Sequence, residues 1–194
     1  MRCHVYCAHL MQCILLHQSW GDNRRRMAIF VSRYDHCLWE VLLRHRAGEL
    51  ACDIPQIISN HDTLRPVADT FDIPYYVFPI TKDTKSHQEE QQMGLLHEHD
   101  IDLIVLARYM QILSPTFCNN NTFYNHIINI HHAFMGSMPY HRAHERGAKL
   151  IGATAHYATS DLDQGPIIGQ DVMRVSHRDE VVVEVWRSLC WYHL

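Results

Sequence analysis

Apolar and polar positions change rhythm along the chain in a way that separates strands from helices. Short apolar runs recur at 27–31 (MAIFV), 54–59 (IPQIIS), 75–78, 102–107 (DLIVLA), 127–131, 150–157 and 167–175, and each predicts a strand. The run at 102–107 is apolar at nearly every position, the pattern of a strand covered on both faces. Between the runs the period lengthens. Leu38, Val41 and Leu42 share one face of a helix expected over 37–45. Asp62 is expected to cap a helix running to Phe71. A polar-faced helix is expected over 86–97, and another over 115–124 after Ser114, interrupted at Asn119, Asn120 and Asn121. A helix over 140–146 should close on Gly147 in the left-handed cap position, and a last helix should cover 179–189. Strands alternating with helices predict an α/β fold with a doubly wound, mostly parallel sheet and helices on both faces. In such sheets ligands sit beyond the carboxyl ends of the strands. Residues 1–25 follow neither rhythm and read as a poorly ordered extension, leaving 26–194 as one folded domain.

Composition narrows the class. The chain has 194 residues, 47% hydrophobic and 20% charged, enough to bury a core without a disulfide scaffold. Lys plus Arg number 17 and Asp plus Glu 21, giving a net charge of -4. That balance argues against a nucleic-acid binder held mainly by phosphate contacts. No apolar run reaches the ~20 residues of a membrane span. The cysteines, 7 in all, are odd in number, so thiols in a reducing compartment are the simpler reading. Cys3, Cys7 and Cys13 lack the paired short spacing of a structural zinc site. The apolar run at 9–16 is followed by no small-residue cleavage site. The expected location is therefore the cytoplasm of a bacterium or, with Arg24, Arg25 and Arg26 as part of a transit segment, a mitochondrion or plastid, and the chain is not expected to be secreted.

The first strand-to-helix turn, Ser32-Arg33-Tyr34-Asp35-His36, contains no glycine, whereas close backbone approach to a phosphate at this turn ordinarily uses glycine. No G-x-G-x-x-G, Walker loop or G-x-S-x-G elbow occurs, and Cys37 and Cys118 read as buried thiols. Polar residues appear instead inside the later strands. In Ile-Ile-Asn-Ile-His-His (127–132), Asn129 and His131 share a face, roughly 6.6 Å apart along the strand. A strand covered on both faces carries two such side chains only with a partner or a task. Gly152, Thr154 and His156 share a face of the next strand, and the turn over 158–166 brings Asp161 and Asp163 to the same edge. Neighbouring strands are about 4.8 Å apart, which is expected to bring Asp163 near His131. Asn, His and Asp at strand ends suit acyl chemistry. An amide donates to an oxygen becoming negative, an imidazole carries a proton or stabilises that oxygen, and a carboxylate orients the imidazole and a water. The competing reading is a set of hydrogen-bonded core polar groups followed by a polar turn.

Six blocks in order then carry a resemblance: Ser59-Asn60-His61, Ala107-Arg108-Tyr109-Met110-Gln111-Ile112-Leu113, Asn129-Ile130-His131-His132, Gly152-Ala153-Thr154-Ala155-His156-Tyr157 and Leu162-Asp163-Gln164-Gly165-Pro166-Ile167-Ile168, with His36-Cys37-Leu38 ahead of them. From about Arg26 to about Glu180 the chain closely resembles the formyltetrahydrofolate deformylases. These share the folate-dependent formyltransferase fold with glycinamide ribonucleotide formyltransferase. The resemblance implies hydrolysis of 10-formyltetrahydrofolate to formate and tetrahydrofolate, supplying formate for purine biosynthesis and balancing the one-carbon folate pool. It implies Asn129, His131 and Asp163 as the catalytic trio. It implies a pterin pocket lined by Tyr109, Met110, Gln111, Ile112 and Leu113, partly through backbone groups, with Gly152, His156 and Asp161 closing around the folate. It implies no metal and no cofactor besides the small-molecule folate substrate; the charge and the lack of a long apolar run give the expectation of no nucleic-acid and no membrane partner. A homo-oligomer is left open. The family usually carries an amino-terminal ACT-type domain and a further carboxyl-terminal segment, both of which 1–194 is expected to lack, and its loop after the Asn-x-His-His block is longer than 133–139 here.

Three other functions compete: an inactive folate-binding paralogue, a metal-dependent hydrolase and a formyltransferase. The metal reading draws on His126, His131, His132, His141, His144, His156 and His177, which come without a defined carboxylate or Cys partner set. The formyltransferase would act on a sugar nucleotide, ribonucleotide or tRNA; the acidic charge weighs against tRNA, and the glycine-free first turn against a phosphoribosyl acceptor. Arg33 and His36 read as first-turn structure or as contacts to the folate tail, and His61 as a cap or loop residue.

Overall fold

The computed structural model describes residues 24–119, 126–132, 145–159 and 164–174. Its strands form one sheet in the order β3-β2-β1-β4-β5-β6-β7. They are β1 (Arg25–Val31), β2 (Cys52–Ser59), β3 (Tyr75–Val77), β4 (Leu103–Ala107), β5 (His126–His132), β6 (Leu150–Tyr157) and β7 (Ile167–Arg174). From β3 to β5 all neighbours are parallel; β6 runs antiparallel to β5, and β7 antiparallel to β6. The mostly parallel sheet is as expected. The two reversed strands could not be read from the apolar rhythm, because that rhythm is the same in either direction.

Alternate residues of the central strands feed two cores. Met27, Ile29, Val31, Leu103, Val105 and Ala107 face α1 (His36–Arg46) and α2 (Arg65–Thr70). Ala28, Phe30, Ile104 and Leu106 face α3 (Lys85–Glu98) and α4 (Pro115–Asn119). Phe30 centres the second core, edge-on to Tyr109 at 5.2 Å and to Phe117 at 6.1 Å. The connections leaving β1 and β4 therefore go to opposite faces, which opens a crevice at their carboxyl ends. At the amino ends Asp102 ties the same strands together. Its carboxylate accepts from the Arg26 N–H at 3.1 Å and pairs with Arg25 at 3.3 Å, and its own N–H donates to the Arg26 carbonyl at 2.9 Å.

Three helices end alike. Beyond α1, α2 and α3 the left-handed residues are Gly48, Asp72 and Asp100. In each case the next N–H reaches back five residues: Glu49 to Arg44, Ile73 to Ala68, Ile101 to Leu96. Gly147 is also left-handed, as expected, although residues 140–144 of its helix lie outside the described residues. The starts are less regular. Asp62 makes no side-chain cap; α2 begins later, after Leu64, with Pro66 in its first turn, and the Asp62 carboxylate instead holds Arg65 at 2.8 Å. Proline removes one N–H that would otherwise need capping, so the carboxylate is left for an ion pair. Ser114 does cap α4, its Oγ accepting from the Phe117 N–H at 3.2 Å. The remainder of that expected helix, 120–124, and the expected helix over 179–189 lie outside the described residues.

Candidate functional site

The carboxyl ends of β4, β1 and β2 are joined by one hydrogen-bond chain. The Met110 N–H donates to Ser32 Oγ at 2.9 Å, and Ser32 Oγ–H donates to Asn60 Oδ1 at 2.7 Å. Asn60 Nδ2 donates to His61 Nε2 at 3.3 Å, and Arg33 Nε donates to the same nitrogen at 3.1 Å. Two donors on one lone pair require His61 to be neutral there. Burial first, and Arg33 second, lower the His61 pKa below its ordinary value. Tyr75 completes the corner by donating its hydroxyl to the His61 carbonyl at 2.7 Å. The sequence offered Ser59-Asn60-His61 only as part of a resemblance; Ser32 and Asn60 were not singled out, since serine and asparagine after strands are ordinary turn residues.

This chain of bonds fixes the segment after β4. Tyr109 and Leu113 are buried in the second core, and the side chains between them divide sharply: Met110 is 56% and Ile112 55% exposed. Buried polar groups on α3 hold the segment from below. Glu89 accepts from the Ser114 N–H at 3.1 Å, and Gln92 donates to the Tyr109 hydroxyl at 3.5 Å. Burial pushes the Tyr109 phenol up to about 12, keeping it protonated. The helix expected to be polar-faced thus turns part of its polar face inward, a use that periodicity alone does not reveal. The outcome is two exposed apolar side chains, Met110 and Ile112, on a segment held by hydrogen bonds to Ser32 and Glu89. Gln111, between them, is half-buried.

On the other side of the crevice, β5 continues the sheet. Ala107 is level with Ile130, so His131 falls one residue beyond the β4 ladder. The antiparallel register places Asn129 opposite His156 and His131 opposite Thr154. Positions 129, 131, 154 and 156 therefore belong to one sheet face, that of Leu106 and the second core. His156 is 2% exposed, and its Nδ1–H donates to the Tyr157 carbonyl at 2.8 Å, which orients the ring. Gln170 on β7 donates to Thr154 Oγ1 at 3.1 Å, extending the polar row to a third strand. Gln170 was not predicted; an exposed glutamine on an edge strand gives no signal of its own.

Asp161 and Asp163 lie outside the described residues, but the return of their turn does not. The Tyr157 N–H donates to the Pro166 carbonyl at 3.0 Å. Gly165 presses so close that a Cβ there would stand 1.6 Å from the Tyr157 carbonyl oxygen and 3.2 Å from His156 Nδ1. Only glycine permits that approach. Gly152 belongs to β6, level with Val172 of β7. Among the described residues, no group of three or more His, Cys, Asp or Glu could hold a metal ion.

The sheet and its flanking helices match known proteins. A family model described as formyl transferase matches residues 25–188. The chain belongs to the formyl transferase family. Within it, the chain is 55% identical over 166 residues to a formyltetrahydrofolate deformylase of Synechocystis sp., covering 84% of this chain and 57% of that protein. A solved formyltetrahydrofolate deformylase of Pseudomonas putida superposes with a TM-score of 0.80 at 41% identity, over 87% of this chain and 61% of that one. A solved phosphoribosylglycinamide formyltransferase of Brucella melitensis superposes with a TM-score of 0.77 at 28% identity, over 86% and 88%. The chain thus spans little more than half the length of the curated deformylases it matches, while retaining the formyl transferase sheet from β1 through β7.

Proposed function

We propose that this formyl transferase family member hydrolyses 10-formyltetrahydrofolate to formate and tetrahydrofolate. The single observation that carries the reading is the register that sets Asn129, at the middle of β5, and His131, near its carboxyl end, on one sheet face with Thr154 and His156. High identity to proteins named formyltetrahydrofolate deformylase supports the choice of substrate. Water attacks the formyl carbon, the carbonyl oxygen takes up negative charge, the bond from carbon to N10 breaks, and N10 takes a proton. Asn129 is assigned to donate to the oxyanion and His131 to stabilise it and carry the proton. Asp163 is assigned to orient the imidazole and the water. Met110 and Ile112 present the apolar surface for the pterin, and Gly152, His156 and Asp161 close on the folate. The reaction needs no metal and no cofactor. The formate released would feed purine synthesis.

The test is formate release from 10-formyltetrahydrofolate by the purified chain beside a His131→Ala variant. A loss of at least about 10³-fold in the variant is expected. A folded wild type that binds folate but releases no formate would instead mark a pocket without turnover.

A further inference from the structure

Three described non-glycine residues adopt the left-handed backbone: Asp72, Asp100 and Arg108. The two aspartates end helices, where that conformation is routine. Arg108 does not. It stands at the carboxyl end of β4 with φ 60°, a position where glycine would be unstrained. Its guanidinium lies over the Tyr34 ring, 5.1 Å from the centroid, and Tyr34 in turn stands 6.4 Å from the His36 ring. Arg108 Nε is buried with no hydrogen-bond partner. Tyr34 belongs to the glycine-free turn after β1, so the contact runs from the end of β1 to the end of β4. That is the switch point, where an open α/β sheet ordinarily admits a ligand. The Ser32–Met110 hydrogen bond crosses the same gap.

A strained backbone is retained only when its surroundings require it. Here it comes with a guanidinium stacked on Tyr34, a ring 54% exposed in the turn after β1, so the two side chains bridge the ends of β1 and β4. The same fold occurs in proteins named for formyl transfer to phosphoribosylglycinamide. We propose that Arg108 and Tyr34 occlude the acceptor side of the crevice, shutting out an amine that carries a phosphorylated sugar and leaving water as the formyl acceptor. This rests on the hydrolase reading. With water, a carbon–oxygen bond forms, the carbon–N10 bond breaks, N10 gains one proton and formic acid leaves, ionising to formate. With an amine, a carbon–nitrogen bond forms instead, the amine loses the proton that N10 gains, and the products are a formamide and tetrahydrofolate. Specificity here comes from an obstacle to the wrong acceptor.

The experiment compares wild type, Arg108→Gly with Tyr34→Gly, and Tyr34→Phe. Each is given 10-formyltetrahydrofolate and glycinamide ribonucleotide, and formate and formylated amine are counted. Glycine suits φ 60° at position 108, so the double variant keeps the strand end unstrained. The ratio of transfer to hydrolysis should rise roughly tenfold or more in the double variant. Tyr34→Phe, which keeps the ring, should behave as wild type. An unchanged ratio in a folded double variant overturns the proposal, and so does a raised KM for the folate with no gain in transfer, which would give Arg108 to the substrate. Calorimetric binding of glycinamide ribonucleotide reads the occlusion without turnover. Binding by the double variant and not by wild type supports it even if wild type releases no formate, an outcome that would sink only the hydrolase reading. Binding by neither, or by both, overturns it.

Discussion

In β1 and β4, every residue at 27–31 and 103–107 is buried, whereas Ile167 of β7 is 60% exposed. The central strands are parallel and covered by helices on both faces, and their side chains are almost wholly apolar. The β5-β6-β7 side runs antiparallel and carries Thr154, His156 and Gln170 on strand positions, in register with 129 and 131. Polar groups on the first side serve to hold: Ser32, Asn60, Glu89 and Gln92 each bind backbone or a neighbouring side chain. Polar groups on the second side include the residues assigned to the chemistry. The contrast teaches that the polar groups of the parallel half act as a mount, and that the antiparallel half, joined to it through β4 and β5, carries the positions proposed for the chemistry and is the proposed working edge.

The largest effect should come from breaking the mount. Phe30 is fully buried between Tyr109 and Phe117, and Phe30→Ala should cost about 3–5 kcal/mol of stability. Because β5 is hydrogen-bonded to β4, both halves should unfold in one denaturant transition. Hydrogen exchange that loosens β1 and β4 while sparing β5 to β7 would show that the working edge folds by itself.

The next test spares the mount. Gly165→Ala would force its Cβ into the Tyr157 carbonyl unless the backbone moves by an ångström or more. A displacement of that size two residues after Asp163 in the chain should lower formate release about 100-fold. Exchange protection in β1 and β4 should be kept. Wild-type turnover from a folded Gly165→Ala protein would sever the turn geometry from the chemistry.

The same division explains what was legible in the sequence. Helix and strand order in the mount could be read because two-sided burial leaves unbroken apolar runs such as Ile104-Val105-Leu106, and because Ser114 and Gly147 are residues with strong positional meaning. The start of α2 was misread at Asp62, since an aspartate before a proline can cap or pair, and only the folded turn decides between them. At the edge, Asn129, His131 and His156 stood out as polar residues within strands. Their pairing did not, because strand direction leaves no trace in a period of two. Ser32 and Asn60 entered only within a turn and a resemblance, and Glu89 and Gln92 not at all, because their value lies in partners up to 78 residues away in sequence.

A smaller effect should follow from loosening the tie between mount and site. Ser32→Ala strands the Met110 N–H and Asn60 Oδ1, each costing about 1–3 kcal/mol if left unpaired. Met110 should then present its side chain less rigidly, so KM for the folate should rise more than kcat falls. An equal fall in kcat with KM unchanged would place Ser32 in support of the working edge rather than of the pocket.

The smallest effect is a pH dependence confined to the mount. His61 accepts at Nε2 from Arg33 and Asn60, and its pKa is lowered from 6.5 by burial and then by Arg33. The unfolded chain therefore binds more protons than the folded one at pH values between the lowered pKa and 6.5, and stability rises with pH through that window. The contribution is present in full above the unfolded value and is lost as pH falls through the folded one. His61 is partly exposed, so solvent screening keeps the effect small. His61→Gln keeps an acceptor for Arg33 but cannot titrate. Urea midpoints of wild type should fall more steeply than those of His61→Gln as pH drops below neutrality. Parallel profiles would mean that Arg33 swings into solvent when the imidazole protonates, leaving Ser32 and Asn60 to hold the corner without it.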